Sequence, residues 1–239
     1  IKLNATDSTN NYLKQLILQR TLDDFSVVLA NHQTNGRGQM GASWLSEKGK
    51  NLAFSVLKRN ISIKTNEHFL LNILVSLSII KTLEGFNIPK LSIKWPNDIL
   101  SDHYKISGIL IETLIKNKQI EYAVIGIGLN VNQVSFEGLP KASSLKNIMP
   151  LTFDRDELLT KIVDNIKTYF QLHSVNGTEF LNAEYESYLF RKDKPSTFKS
   201  HDNSLFTGII RGVSASGKLC IQTEDSNKEF DLKELKLLY

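Results

Sequence analysis

Hydrophobic positions change their period several times along the chain, and each change marks an element. Behind a cap-like Asp7-Ser8-Thr9, residues Tyr12, Leu13, Leu16 and Ile17 fall on one helical face. Phe25 to Ala30, Asn51 to Leu57, Leu91 to Trp95, Ile106 to Ile115 and Glu121 to Ile127 are short apolar runs of strand length. His68 to Leu83 is apolar over a helical length, broken by Asn72, Ser76 and Ser78, and predicts a buried helix. Leu158, Leu159, Ile162, Val163, Ile166 and Phe170 keep helical spacing, with Asp154 available as a cap. A further helix over Thr178 to Leu189 directs Phe180, Leu181, Tyr185 and Leu189 inward.

The character changes near Arg191. Ser196 to Lys199, Leu205 to Val213, Lys218 to Thr223 and Lys228 to Leu232 read as short strands. Asp202-Asn203, Ser216-Gly217 and Ser226-Asn227 are the turns between them. The pattern predicts a mixed α/β (α+β) domain over 1–190 and a small C-terminal β domain over 191–239, jointed at Lys192 to Pro195.

Composition narrows the function classes. The chain has 239 residues, 41% hydrophobic and 23% charged, as expected of one large globular domain with a small appendage. A lone cysteine, Cys220, allows no internal disulfide and no cysteine-based zinc site, which fits a reducing cytoplasm. No apolar run reaches the ~20 residues of a membrane span, so no membrane is expected as partner. The net charge is +4, but the lysines are scattered and form no basic stripe with interleaved aromatics, so neither is nucleic acid.

Two glycine-rich strings resemble nucleotide motifs and fail on context. Gly36-Arg37-Gly38-Gln39-Met40-Gly41 matches G-x-G-x-x-G, yet no helix start follows and no acidic residue stands about 20 positions on. The loop still suits an anion, since glycines let backbone amides approach closely and Arg37 adds a permanent charge. Gly212 to Lys218 resembles a P-loop until Leu219 takes the Ser/Thr position, between two β runs; it reads as a hairpin turn.

Lys94-Trp95-Pro96-Asn97-Asp98 breaks a strand and leaves Asn97 and Asp98 at its end. Soon afterwards Lys105-Ile106-Ser107-Gly108 opens another strand, and Gly108 permits close approach to the backbone. Paired as a hairpin, the two segments would put two lysines, a carboxylate and an amide in one cleft. The five histidines show no metal-ligand spacing, and no Gly-x-Ser-x-Gly elbow is present, so no metal site and no hydrolase is expected.

The loop Gly36 to Gly41, Lys94 to Asp98, Lys105 to Glu112 and Gly126-Ile127-Gly128-Leu129-Asn130, in this order, resemble the signatures of biotin–protein ligases. Asp7-Ser8-Thr9-Asn10 is similar to the opening segment of that family, and the β-rich tail to its SH3-like β-barrel. The resemblance covers nearly the whole chain. It implies a mixed-sheet catalytic domain that makes biotinyl-5′-adenylate from biotin and ATP with Mg2+. A lysine of a biotin carboxyl carrier protein, from acetyl-CoA carboxylase or a related carboxylase, then takes the biotin.

By matching motif positions, the resemblance implies that Ser8, Thr9, Asn10 and Gln33 bind the biotin ring system and that Gly108 lets the ligand close on the backbone. Arg37, with Gly38 and Gln39, covers the carboxylate and phosphate, and Lys105 bridges them. Gly36, Arg37, Trp44, Asn97, Lys105 and Asn130 serve the nucleotide. The catalytic set is Arg37, Lys105 and Asp98. Fixed cations offset the repulsion of two anions, and Asp98 orients the incoming lysine, whose reference pKa is about 10.4.

Two departures stand out. Many relatives carry a further basic residue where this loop has Gln39 and Met40, which predicts a weaker electrostatic grip on the adenylate. Asp7 to Asn10 stands almost at the start, leaving no room for the DNA-binding domain of some members, so a monofunctional ligase, monomeric or homodimeric, is expected. The rivals are a lipoate– or octanoate–protein ligase and a non-catalytic biotin or adenylate sensor. Arg37 and Lys105 argue for chemistry, because a biotin pocket alone needs no phosphate cations.

Overall fold

The computed structural model describes residues 1–232 and 234–239. Seven strands form a mixed sheet: β1 (Lys2–Leu3), β2 (Val27–Ala30), β3 (Leu52–Arg59), β4 (Leu91–Lys94), β5 (Asp98–Ser101), β6 (Tyr104–Lys116) and β7 (Gln119–Leu129). Their spatial order is β1-β2-β3-β7-β6-β5-β4, and only the β1–β2 pair is parallel. Helix α1 (Thr9–Gln19) covers one face through Leu13, which packs with Val28, Leu57 and Val124. The other face carries α2 (Leu70–Gly85) and α4 (Arg155–Asn176), with α5 (Glu179–Ser187) against α2. The short α3 (Leu145–Ile148) follows the β7 exit.

The apolar run of α2 is buried continuously from Ile73 to Ile80 because sheet and helices enclose it, while Lys81 and Gly85 reach the surface. Two of its hydroxyls are satisfied within the helix, Ser78 donating to Leu74 O at 2.6 Å and Thr82 to Ser78 O at 2.8 Å, whereas the buried Ser76 hydroxyl has no partner. Each fully buried apolar side chain of this layer stabilises the fold by roughly 1.5–3 kcal/mol. Asp154 caps α4 as expected, accepting from the backbone N–H groups of Asp156 and Glu157 at 2.8 and 3.2 Å.

A second, antiparallel sheet contains β8 (Pro195–Ser200), β9 (Leu205–Val213), β10 (Leu219–Gln222), β11 (Asn227–Phe230) and β12 (Leu235–Leu238), in the order β11-β10-β9-β8-β12. The string at 212–218 is a hairpin turn, closed by Ser214 and Lys218. Glu186 of α5 ties this sheet to the helices, accepting from Lys192 Nζ at 2.9 Å and from the Val213 N–H at 3.1 Å.

Several expectations change. Asp98 is the first residue of strand β5 and pairs with Lys94, so the reversal is confined to residues 95–97. Strands β1 and β12 and helix α3 are too short to show a period and were not predicted. Phe180 is on the outer side of α5, 36% exposed, while Leu181 and Tyr185 face the core.

Candidate active site

Register builds the floor of the site. Asp98 of β5 lies opposite Gly108 of β6, Gly108 opposite Gly128 of β7, and Gly128 opposite Ala53 of β3. Two residues further on, Leu110, Gly126 and Ser55 form the next row on the same face. The small residues of these rows, Gly108, Gly128, Ala53, Gly126 and Ser55, leave a trough in the sheet. A Cβ on Gly128 would overlap the Trp44 indole, and a Cβ on Gly126 would overlap the Asn10 amide. The glycines therefore make room for the two side chains lying across the trough.

A cleft of about 330 Å³ opens above this floor, within the size range of small-molecule sites. Ser8, Thr9, Asn10, Gln33, Arg37, Gly38, Gln39, Trp44, Asn97, Asp98, Lys105 and Gly108 all line it. Gly36 and Asn130 do not. Gly36 closes the loop, its carbonyl accepting the Trp44 N–H at 2.8 Å, and a Cβ there would overlap the Trp44 carbonyl oxygen. Asn130 is buried behind the wall and donates to Ser143 O at 2.9 Å.

At one end the start of α1 is held from outside the helix. Ser8 occupies the cap position, but its hydroxyl caps nothing. Gln33 Oε1 accepts instead, from the Thr9 N–H at 2.8 Å and the Thr9 hydroxyl at 3.1 Å, which satisfies an otherwise orphaned helix donor. Ser55 Oγ lies 2.7 Å from Thr9 Oγ1 and 2.5 Å from Asn10 Oδ1. Ser8, Thr9, Asn10 and Ser55 are buried at this end, with Gln33 half-buried beside them.

Charge collects at the other end. Lys105 Nζ is 2.6 Å from Asp98 Oδ1, Lys94 Nζ is 4.0 Å from Asp98 Oδ2, and Lys236 of β12 joins the lining. Burial pushes the Lys94 ammonium below its usual range; Asp98 opposes this, while Lys105, Lys141 and Lys236 add to it. Among the described residues Asp98 is the one carboxylate on the cleft wall. Cations exceed anions there, which suits a polyanionic ligand. Asn97 donates to Ile109 O at 2.7 Å and accepts the Ile109 N–H at 3.1 Å, which locks the turn before Asp98 onto β6. Trp95 Nε1 donates to Gly217 O at 2.9 Å and pins the same turn to the second sheet.

The loop at 36–43 bridges the two ends. Arg37 Nη2 donates to Glu112 at 2.7 Å, and Arg37 Nε is buried without an acceptor. Trp44 lies on Gly108 and Gly128 with Lys105 Nζ 5.6 Å from the centre of its ring, and its own Nε1 is buried without a partner. Gln39 Oε1 is likewise buried and unpartnered, whereas Met40 is 60% exposed at the loop tip with φ +55°. Sequence reasoning missed Gly126 and Gly128 as site floor and Glu112 as the partner of Arg37. It also missed the β12 contributions Leu235, Lys236 and Leu237. The Gly126-Ile127-Gly128 spacing, two glycines on one strand face, was the available signal for the floor.

The cleft has buried hydroxyls and an amide at one end, an excess of cations at the other, and an arginine-bearing glycine loop over it. The sequence model of the Biotin/lipoate A/B protein ligase family matches residues 3–130, and the chain belongs to that family. It is 27% identical to the Bifunctional ligase/repressor BirA of Bacillus spizizenii, over 89% of this chain and 66% of that relative, so it spans just under two thirds of that relative's length. It is 26% identical to the Biotin--[acetyl-CoA-carboxylase] ligase of Mycobacterium tuberculosis, over 90% of this chain and 80% of the relative. Among solved structures, the biotin protein ligase from Aquifex aeolicus in complex with biotin and ATP superimposes with a TM-score of 0.82 at 29% identity. That match covers 100% of this chain and 97% of the other.

Proposed function

We propose that this protein is a biotin–protein ligase: it joins biotin to AMP at the expense of ATP, releases pyrophosphate, and passes the biotin to a lysine of a carrier protein. The observation that carries this reading is the placement of Arg37 and Lys105 on one cleft with the buried Ser8–Asn10 end. The Aquifex relative that this chain resembles over its whole length binds biotin and ATP.

In the first step a biotin carboxylate oxygen attacks the α-phosphorus, and the bond to pyrophosphate breaks. Ser8, Thr9, Asn10 and Gln33 hold the ring system, and Gly108 admits it to the sheet. Lys105 and Arg37, with the Gly38 and Gln39 backbone, hold the two anions together and stabilise the charge that develops between them. Trp44, Asn97, Gly36 and Asn130 shape the nucleotide side, Gly36 by closing the loop on Trp44 and Asn130 from behind the wall. Lys94 and Lys236 favour the departing pyrophosphate. Mg2+ enters with the nucleotide as MgATP; no group of three His, Cys, Asp or Glu able to hold a metal occurs among the described residues.

In the second step the carrier lysine attacks the acyl carbon and AMP leaves. Asp98, held between Lys94 and Lys105, orients the incoming amine and receives its proton. The carrier is a biotin carboxyl carrier protein of acetyl-CoA carboxylase or a related carboxylase, in the cytoplasm. Residues 1–190 form the catalytic unit and 191–239 the β unit. The protein acts as a monomer or homodimer without nucleic acid, and specific operator retention in a gel shift would contradict that last point.

ATP–pyrophosphate exchange with biotin, with lipoate and with no acid tests the reading. Exchange with biotin alone supports it, exchange with lipoate moves the protein to the sister activity, and exchange with neither leaves a binding role.

A further inference from the structure

Glu112 belongs to none of the groups assigned above, yet it touches both ends of the site. Its Oε2 accepts from Arg37 Nη2 at 2.7 Å and from Asn10 Nδ2 at 2.8 Å, and its Oε1 accepts from Lys14 Nζ at 2.8 Å. Three side chains from two elements therefore meet on one half-buried carboxylate: Arg37 of the glycine loop, and Asn10 and Lys14 of the first two turns of α1. Burial acts to raise the Glu112 carboxyl, but the hydrogen bonds from Lys14, Asn10 and Arg37 outweigh it and hold it below its usual range.

The contact decides which way the Asn10 amide points. Its Nδ2 faces two acceptors, Glu112 and Leu110 O at 3.2 Å, while Oδ1 faces the Ser55 hydroxyl. The flipped amide would set oxygen against oxygen, so Asn10 presents its oxygen as an acceptor for a ligand N–H. The contact also fixes Arg37 by one terminal nitrogen and leaves Nε buried and unfilled. An anion oxygen arriving in the cleft supplies that missing acceptor. Lys14 supplies a second cation to the same carboxylate, so Glu112 stays charge-paired while Arg37 also faces an anion.

We propose that Glu112 is a positioning residue that couples recognition of the biotin ring through Asn10 to recognition of the acyl-phosphate through Arg37. This rests on the ligase reading. It assigns Glu112 no contact with substrate and no proton transfer.

The test measures equilibrium binding of biotin, and of a non-hydrolysable biotinyl-adenylate analogue, to wild type, Glu112→Gln, Asn10→Ala, Arg37→Ala and the double variants. Thermal melting controls for folding, and Glu112→Asp, which keeps the charge but shortens the reach, replaces the glutamine variant if that one does not fold. Glu112→Gln is expected to weaken biotin about tenfold and the analogue by a further factor of about ten, the size of effect a charged hydrogen bond carries. The loss for biotin disappears in the Asn10→Ala background, and the extra loss for the analogue disappears in the Arg37→Ala background, because coupled residues are non-additive. Losses that persist at full size in both backgrounds, or Glu112 variants that bind as wild type does, overturn the coupling alone. A folded wild type that binds neither compound overturns the ligase reading with it.

Discussion

The Lys105 ammonium lies 2.6 Å from Asp98 Oδ1, across a β5–β6 pairing in which Asp98 faces Gly108. The pair holds a cation at the cleft wall before any anion arrives. Lys105→Ala should lower biotin-dependent exchange at least about 100-fold, as removal of a transition-state electrostatic partner does, with an unchanged melting temperature. Normal activity would reject the role. Asp98→Asn should slow transfer to the carrier more than exchange, because the second step is the one in which an amine must lose a proton; equal losses in both steps would count against it.

The floor of the trough makes a steric prediction. Gly128→Ala puts a methyl group into the space of the Trp44 indole. Relief requires Trp44 to leave the trough or the strand to shift, at about 1–3 kcal/mol for overpacking. The variant should show altered tryptophan fluorescence and weaker adenylate binding. An unaltered spectrum together with wild-type affinity would mean that Trp44 does not rest there in solution.

Gln39 stands in the loop with its side-chain oxygen buried and unpartnered. Gln39→Arg adds a donor and a charge at that point, and slower release of preformed adenylate is expected, by roughly the two- to fivefold that a surface charge pair gives. Release at the wild-type rate would show that backbone amides and Arg37 already saturate the grip.

Lys94 predicts a pH dependence of stability. Burial holds its ammonium below the ordinary value of 10.5, so the unfolded chain binds the proton more tightly than the folded protein. This group therefore costs stability at neutral pH, and the cost is relieved as pH rises through the window between the folded value and 10.5. Lys94→Met should melt above wild type near pH 7, with a gap that narrows as pH climbs through that window. A gap constant with pH would contradict the assignment.

Asp154→Ala removes the α4 cap far from the cleft. It should lower stability by about 1 kcal/mol and leave exchange per folded molecule unchanged; a specific loss of activity would connect α4 to the site.

Much of the fold was legible because long periodic segments declare themselves: α4 with its Asp154 cap, the buried α2, and β9, whose ends agree with the expectation at Leu205 and Val213. Arg37, Asp98 and Lys105 could be picked out because charged residues beside glycine and proline have few structural reasons to be there. Glu112 could not, since its position on an exposed-looking stretch of β6 acquires meaning only through Lys14 and Arg37, 98 and 75 residues away in sequence. Lys236 was hidden for the same reason, brought to the cleft by a strand too short to show a period. Ser8 shows the opposite failure: a cap-like residue at the cap position leaves the capping to Gln33, whose reach depends on the sheet.

The ligase reading requires a bound biotinyl-adenylate that a carrier lysine consumes. Labelled biotin and MgATP are incubated with the protein, free nucleotide is removed, and apo carrier protein is then added without ATP. Label moving to the carrier in that second stage is the predicted result. A folded protein that retains no adenylate after the first stage and transfers no label even with ATP present would contradict it.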